Sequence, residues 1–175
     1  MQPLIDHAMD AANDPLAETF LDSRRVFWVR ESDDAQAIAA ACARASGVAV
    51  EPVDAAAGPH AALLGLNHAM TGRFEIRMAL YSMGGDALAF VVLPCTDWAE
   101  LDDDIGDALA QVVWELGDDL DPFEVLQTSD VIDPYLELLA DNPGRYGECL
   151  AQAVADPASA HGNQYSDGSD DVMPW

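Results

Sequence analysis

The stretch that decides the fold reads Arg73-Phe-Glu-Ile-Arg-Met-Ala-Leu80, then Tyr81-Ser-Met-Gly-Gly-Asp86, then Ala87-Leu-Ala-Phe-Val-Val-Leu93. In the first segment, large apolar residues alternate with charged or small ones, which is the period of a half-buried strand. The Gly-Gly pair suits a tight turn, and the last segment is continuously apolar, as in a more deeply buried strand. The stretch therefore predicts a β-hairpin over about residues 73–93.

The elements before this hairpin follow from the same local rules. Residues 25–30 combine β-branched and aromatic side chains between charges and predict a strand. Ser32 is the predicted N-cap of an Ala-rich helix that runs through Ser46, where Gly47 ends it. Residues 48–53 predict a second strand, whereas residues 61–70 fit either a helix or a packed loop.

Helix starts in the rest of the chain are marked by proline. Asp or Asn before Pro suits an N-cap followed by the first helical position, where the missing N–H of proline would be unpaired anyway. Glu124 also completes a capping-box pattern with Asp121. We therefore predict short helices that begin after Asp14, Asp121, Asp133 and Asn142.

These elements predict one α+β domain over residues 1–156. Its small antiparallel or mixed sheet is packed by helices, and its C-terminal portion is helical and acidic. The 175-residue chain, 50% hydrophobic, is large enough for a real core. Residues 157–175 have the composition of a flexible acidic tail. The tail ends in Met-Pro-Trp, which makes Trp175 a candidate docking residue.

The charge is one-sided along the chain. Residues 1–96 hold 12 acids and 6 Arg, whereas residues 97–175 hold 20 acids and only Arg145. Within residues 97–124 there are 11 acids and no basic residue. Such an excess costs stability through self-repulsion, so it points either to a partner of opposite sign or to a salty environment.

The densest charge follows the hairpin, where apolar residues recur at helical spacing from Leu101 to Leu116 and predict an amphipathic helix that stops at Gly117. A helix over residues 103–115 would spread carboxylates along about 18 Å, which approximates a short run of nucleic-acid phosphates. The simpler interpretation is a solvated face, although such faces normally mix both signs of charge. The predicted partner-binding residues are Asp102, Asp103, Asp104, Asp107, Glu115, Asp118, Asp119, Asp121 and Glu124.

Catalytic and cofactor signals are missing from the sequence. The four histidines are scattered, and no acidic stretch has the alternation and central Gly of a calcium loop. Cys95 follows a strand, but its acidic surroundings favour an inert thiol over a nucleophile. Five arginines are expected to pair with local acids, and a small basic patch for an acidic ligand is the alternative: Arg24, Arg25, Arg30, Arg73 and Arg77. We predict a protein that is not an enzyme, with no metal and no cofactor.

The same composition limits partners and compartment. Without lysine and with a net charge of −25, the chain is not expected to bind nucleic acid or an anionic membrane directly. The N-terminus lacks the features of a signal peptide, and the three widely spaced cysteines fit reduced thiols. We expect a cytoplasmic protein whose partner is a basic, nucleic-acid-handling protein.

Three functional hypotheses follow from these features. The first is an inhibitor whose carboxylates replace phosphates in the basic groove of its partner. Anti-restriction and anti-CRISPR inhibitors act in this way, and the chain resembles them in composition only. The second is an immunity or antitoxin protein that neutralises a basic toxin. The third is a halophilic protein whose acids hold hydration water in brine. A conventional enzyme is the remaining alternative, disfavoured because no catalytic motif is found.

Overall fold

The computed structural model describes residues 19–20, 23–53 and 58–155. Its four strands are β1 (Val26–Val29), β2 (Phe74–Ala79), β3 (Leu88–Pro94) and β4 (Val113–Glu115). Its helices are α1 (Ala35–Ser46), α2 (Pro59–Ala69), α3 (Cys95–Val112), α4 (Pro122–Gln127), α5 (Ser129–Asp141) and α6 (Tyr146–Ala155). The strands form one sheet in the order β1-β3-β2-β4 with every neighbouring pair antiparallel, which confirms the predicted α+β class.

The predicted hairpin is present as the β2–β3 pair, in which Ile76 lies opposite Val92 and Met78 opposite Phe90. A 3-10 turn over residues 80–82 precedes the glycine turn. Ile76 and Met78 are buried as the alternation predicts, but Arg77 is buried as well. The strand is therefore not half-buried, because helices cover the second face of the sheet too.

Two hydrophobic clusters occupy the two faces of the sheet. The larger one joins Ile76, Met78 and Phe90 to α1, α2 and the helices after β4. The smaller one joins Val91 of β3 to Trp98 of α3, and its other buried members are Phe20, Ala79, Ala89, Leu93, Leu101, Leu109, Val112 and Val113. The sheet is thus the middle of three layers, and α3 is the main described helix over one face, with Phe20 buried against its Trp98.

One side chain completes the sheet where β4 is too short. Ile76 of β2 has no β4 residue opposite it, because β4 pairs only with residues 77–79. Asn67 of α2 takes that place: its Oδ1 accepts from the Ile76 N–H (2.6 Å) and its Nδ2 donates to the Ile76 carbonyl (3.0 Å). The amide thus satisfies both backbone groups that a longer strand would have paired.

The elements before the hairpin differ from the prediction in two places. Helix α1 is capped by Asp34, not Ser32, since Oδ1 of Asp34 accepts from the Ala37 N–H at 2.8 Å. Gly47 ends the helix in the left-handed region (φ 75°), as predicted. Residues 48–53 form no strand; Val50 and Val53 pack on the larger cluster without pairing to the sheet. The ambiguous residues 61–70 belong to helix α2.

The predicted helix starts are confirmed at one position. Asp121 caps α4 by accepting from the N–H groups of Phe123 and Glu124. Asp133 begins no helix, because Pro134 lies inside α5, where the fully buried Tyr135 anchors the helix by donating to the Leu80 carbonyl at 3.1 Å. Asn142 ends α5 instead of starting α6. The predicted start after Asp14 and the tail 157–175 lie outside the described residues.

The prediction for the acidic helix was wrong at both ends. Helix α3 begins at Cys95, directly after β3, because Trp98 is buried and its Nε1 donates to the Glu75 carbonyl (2.9 Å). It is kinked at Ile105 (φ −135°, ψ 25°) and ends at Val112, not at Gly117. The next residues, 113–115, pair with β2 as an edge strand. The helix therefore carries only part of the predicted acidic surface.

Candidate interaction surface

The nine predicted partner-binding acids come from three elements and a loop. We call them the acidic belt: Asp102, Asp103, Asp104 and Asp107 of α3, Glu115 of β4, Asp118, Asp119 and Asp121 of the following loop, and Glu124 of α4. Helix α3 covers one face of the sheet, whereas α4 packs with α2 and α5 on the other. The belt therefore runs from one face to the other around the β4 edge, and it is not the straight ridge that a single helix would make.

Arg77 of β2 holds the first part of the belt together. Its guanidinium donates from Nε to Glu75 (2.7 Å) and from Nη1 and Nη2 to the two oxygens of Asp102 (both 2.8 Å). Glu115 lies 3.4 Å from Nη2. One guanidinium thus hydrogen-bonds carboxylates from β2 and α3 and forms an ion pair with one from β4. The Asp102 contact has the bidentate geometry that favours Arg over Lys.

The Arg77 guanidinium is buried, whereas the carboxylates that it contacts are partly exposed. Arg77 is only 5% exposed, and its Cζ lies 4.4 Å from the centroid of the Trp98 ring. The carboxylates remain wetter, with the Glu115 side chain 74% exposed. Burial by itself would lower the pKa of Arg77, but its hydrogen bonds to Asp102 and Glu75 outweigh that effect and raise it. The guanidinium therefore stays charged while three acids surround it.

The remaining acids of the belt face solvent. Six of its carboxylates are exposed and make no ion pair with any residue in the described ranges: Asp103, Asp104, Asp107, Asp118, Asp119 and Glu124. Such unpaired like charges repel one another. Because they have no cationic partner in the described part of the molecule, they are available to attract a cationic surface.

Asp121 also stabilises the fold, unlike the other loop acids, Asp118 and Asp119. Its Oδ1 caps α4, and its Oδ2 lies 3.6 Å from Nδ1 of the buried His60. Replacing Asp121 would therefore disturb the fold as well as the charge. Asp102, Glu115 and Asp121 are thus the predicted partner-binding acids that form contacts within the described fold.

The hydrogen bonds from Arg77 lower the pKa of Asp102, although partial burial acts in the opposite direction. A carboxyl with a lowered folded pKa adds stability that is fully present above its unfolded pKa of about 4. This stability is lost as the pH falls through the folded pKa.

We accordingly expect the stability difference between wild type and Asp102→Asn to be constant above about pH 5 and to shrink below about pH 4. Urea unfolding between pH 7 and pH 2 at fixed ionic strength measures it. Asp107→Asn, which removes an exposed acid of the same helix, is the control. A difference for Asp102→Asn that stayed constant down to pH 2 would contradict the role of the Arg77 contact.

The nucleophile and metal candidates form no site in the described part of the chain. Burial raises the pKa of the Cys42 thiol to about 11 and also raises that of Cys149, so both favour the protonated form. Cys95 is partly buried at the start of α3. Among the described residues, no three His, Cys, Asp or Glu side chains are grouped so that they could hold a metal ion. Trp175, the candidate docking residue, lies outside the described residues.

Sequence reasoning missed the central role of Arg77. It did predict that Arg77 pairs with local acids, but it placed the residue on a solvent face and left Asp102 free to bind a partner. The available signal was the amphipathic pattern directly after β3, because a helix that starts where a strand ends returns over the same sheet. Such a helix would cover the face on which Glu75 and Arg77 lie.

Comparisons with known proteins give no assignment for this surface. None of the helices in the described ranges is both long and apolar enough to cross a membrane. No protein-family model, no curated protein and no solved structure matches the chain.

Proposed function

We propose that this protein is an inhibitory binding protein whose acidic belt occupies the basic, nucleic-acid-binding groove of a partner protein. The observation that carries the proposal is the run of 11 acids without a basic residue over residues 97–124. Six of the belt carboxylates in this run are exposed and unpaired within the described residues. An ordinary solvated face would be expected to intersperse Lys or Arg among them.

The shape of the belt suits a groove better than a flat surface. Its acids curve around the β4 edge of the sheet, so a partner would meet carboxylates from both faces. Duplex phosphates likewise present charge along a convex surface to a concave, basic protein. Carboxylates in such positions would accept hydrogen bonds from the Lys and Arg side chains that normally hold phosphate.

The Arg77 contacts support the proposal in a second way. A mimic must hold its charges at set positions, because ordering mobile side chains at an interface costs free energy. Arg77 anchors Asp102, which lies next to the exposed acids of α3, and it forms an ion pair with the exposed Glu115. Net charge far from zero would then steer the partner by long-range attraction and make association fast and salt-dependent.

The test removes four belt charges without touching Arg77 or the α4 cap. In the belt variant, Asp103, Asp104, Asp107 and Asp119 become Asn. In the matched control, the exposed acids Asp130, Asp133, Glu137 and Asp141 of α5 become Asn or Gln, so both variants lose the same charge. Each protein is immobilised, loaded with lysate of its source cell at low salt, and washed with a duplex DNA oligonucleotide.

We expect wild type and the α5 control to retain a protein that duplex DNA releases, and the belt variant to retain at least tenfold less of it, since several charge contacts of about 0.5 kcal/mol each are lost. Quantitative mass spectrometry of the eluates measures this. Equal retention by the belt variant, or a bound protein that duplex DNA does not displace, would contradict the proposal. A wild-type fold that forms only in molar salt would favour halophilic adaptation instead.

A further inference from the structure

A pocket lies at the end of the sheet where β1 stops and β3 begins. Its volume is about 270 Å³. Val29, the last residue of β1, lies opposite Leu88, the first residue of β3, and both line the pocket. The hairpin turn, residues 85–87, and Phe123 of α4 contribute further walls. Three segments that are distant in the chain therefore meet here.

The inner part of the pocket is apolar and belongs to the core. Val29 and Leu88 are fully buried, and Phe123 is only 5% exposed. All three are members of the larger hydrophobic cluster, in which the Phe123 ring stacks on Phe90 with 6.2 Å between the ring centroids. A group that enters the pocket thus meets apolar side chains that the fold already holds in place, so they need not be ordered on binding.

The outer part of the pocket carries two free carboxylates. Glu31 and Asp86 line it, both are exposed, and neither forms a hydrogen bond or an ion pair with any described residue. The acids that follow Glu31 are engaged within the fold, since Asp33 accepts from the Arg30 N–H at 2.9 Å and Asp34 caps α1. The Arg30 side chain forms no ion pair with Glu31. The two pocket carboxylates are therefore available to an outside cation.

An apolar interior with acids at its mouth suits a cationic side chain that has an apolar stem. Lys and Arg bury their methylene stems against apolar surface and keep the charged head near water. The acids at the mouth complement the charge of such a head. The volume lies below the range of about 300–1,000 Å³ that is typical of small-molecule sites, so a single side chain is the better match in size.

Arginine matches the pocket better than lysine. Its planar guanidinium can donate to two carboxylates at once, and it is more weakly hydrated than an ammonium group. The protein already holds one arginine in this way, because Arg77 donates to Glu75 and Asp102 and lies over the Trp98 ring. The pocket combines two carboxylates with the aromatic side chain of Phe123. It therefore offers the same kinds of groups, but without an arginine of its own among its lining residues.

The pocket adjoins the α4 end of the acidic belt. Phe123, which lines the pocket, directly precedes Glu124 of the belt, and its N–H donates to Asp121, another belt residue. A basic surface that covers the belt as far as α4 therefore comes within one residue of the pocket.

We propose that this pocket receives an arginine side chain of the basic partner. The inserted arginine is an anchor residue, and the exposed belt acids supply the broader charge contacts around it. The proposal rests on the proposed function for the nature of the partner, but none of the nine belt residues lines the pocket. The two parts of the interface can therefore be tested separately.

The first test uses the full chain without its partner. N-acetyl-L-arginine methylamide is titrated into isotope-labelled protein, and NMR follows the backbone amides of Val29, Leu88 and Phe123. We expect saturable shifts at these amides, and about fivefold weaker binding of the uncharged citrulline analogue and of the lysine analogue. The lysine analogue carries the same charge as the arginine probe, so general attraction to an acidic protein does not produce this preference. Glu31→Gln/Asp86→Asn should weaken arginine binding by a similar factor.

The second test asks whether the partner uses the pocket. Glu31→Gln/Asp86→Asn is compared in the lysate experiment with Asp130→Asn/Asp133→Asn, which removes the same charge from exposed positions of α5. We expect the pocket variant to retain about fivefold less of the protein that duplex DNA releases, because an anchor contributes more to binding than peripheral charges do. All four substituted side chains are exposed, so both variants should keep the wild-type fold.

The proposal would be overturned if the arginine probe caused no saturable shift at the pocket amides, or if either analogue or the pocket variant bound equally well. Equal retention by the pocket and α5 variants would overturn this inference alone and leave the function of the belt standing. A wild type that retains no protein displaced by duplex DNA would overturn both. A sedimenting wild-type dimer that Glu31→Gln/Asp86→Asn dissociates would assign the pocket to an arginine of a second copy instead.

Discussion

Replacing Arg77 by alanine is expected to lower the free energy of unfolding by about 3 kcal/mol. The substitution leaves Glu75, Asp102 and Glu115 close together without their shared cation, and it removes the guanidinium from the Trp98 ring. The expected loss is at the low end for a buried ion pair because the carboxylates are partly exposed and regain water. Urea unfolding at pH 7, followed by circular dichroism, measures it.

Two further variants show what the buried Arg77 contact contributes: one keeps the charge at position 77, and the other removes an exposed arginine elsewhere. Arg77→Lys keeps the charge but loses the bidentate contact, so we expect about half of the destabilisation. Arg145→Ala removes another arginine with a 2.7 Å carboxylate contact, but that pair is exposed on both sides. It should cost less than about 0.5 kcal/mol. If Arg77→Ala were no more harmful than Arg145→Ala, the buried contact would not be what joins β2, α3 and β4.

Replacing Gly147 by alanine is expected to cost about 3 kcal/mol or more, because α6 approaches the backbone of α3 at this glycine. A Cβ atom there would overlap the carbonyl oxygen of Ala110 and would lie 3.2 Å from the Cα of Gln111. Neither neighbour is a side chain that can rotate away. Relief requires α6 to move off α3, which also strains the hydrogen bond from the Glu148 N–H to Oε1 of Gln111 (3.2 Å).

Gly106 of α3 is the matched control for this prediction. A Cβ atom at Gly106 meets nothing within 4 Å. Gly106→Ala should therefore raise stability by about 0.5–1 kcal/mol through helix propensity alone. The urea midpoints of the two variants give the comparison. A Gly147→Ala midpoint equal to that of wild type would show that α6 is not seated on α3 at this distance.

These two positions connect the fold to the proposed function. Arg77 holds the start of the acidic belt from inside the sheet, and Gly147 lets α6 pack against α3 beyond its kink. A variant at either position that still folds should bind the partner more weakly, although neither changes an exposed belt acid. Because the number of exposed belt acids is unchanged in these variants, weaker binding would show that the positions of the charges also matter.

Local sequence predicted some elements well because their causes are local. The hairpin over residues 73–93 follows from apolar alternation and a glycine turn, and the cap at Asp121 follows from one side chain and its nearest N–H groups. The prediction failed at Asp133, where the burial of Tyr135 outweighs the preference of Pro134 for a helix start. It also failed at residues 113–115, whose strand depends on a partner far away in the chain.

The sequence by itself determined the α+β class and the extreme, one-sided charge, because alternation, turn residues and acid counts are properties of neighbouring positions. Only the tertiary structure decided where that charge lies and which acids are free. An ion pair forms only where the tertiary structure brings its groups within a few ångström. Arg77, Asp102 and Glu115 are distant in sequence, but the fold places their side chains side by side. The same sheet sets the acidic belt at the β4 edge and β1 at the opposite edge, because strand order, not chain order, places them.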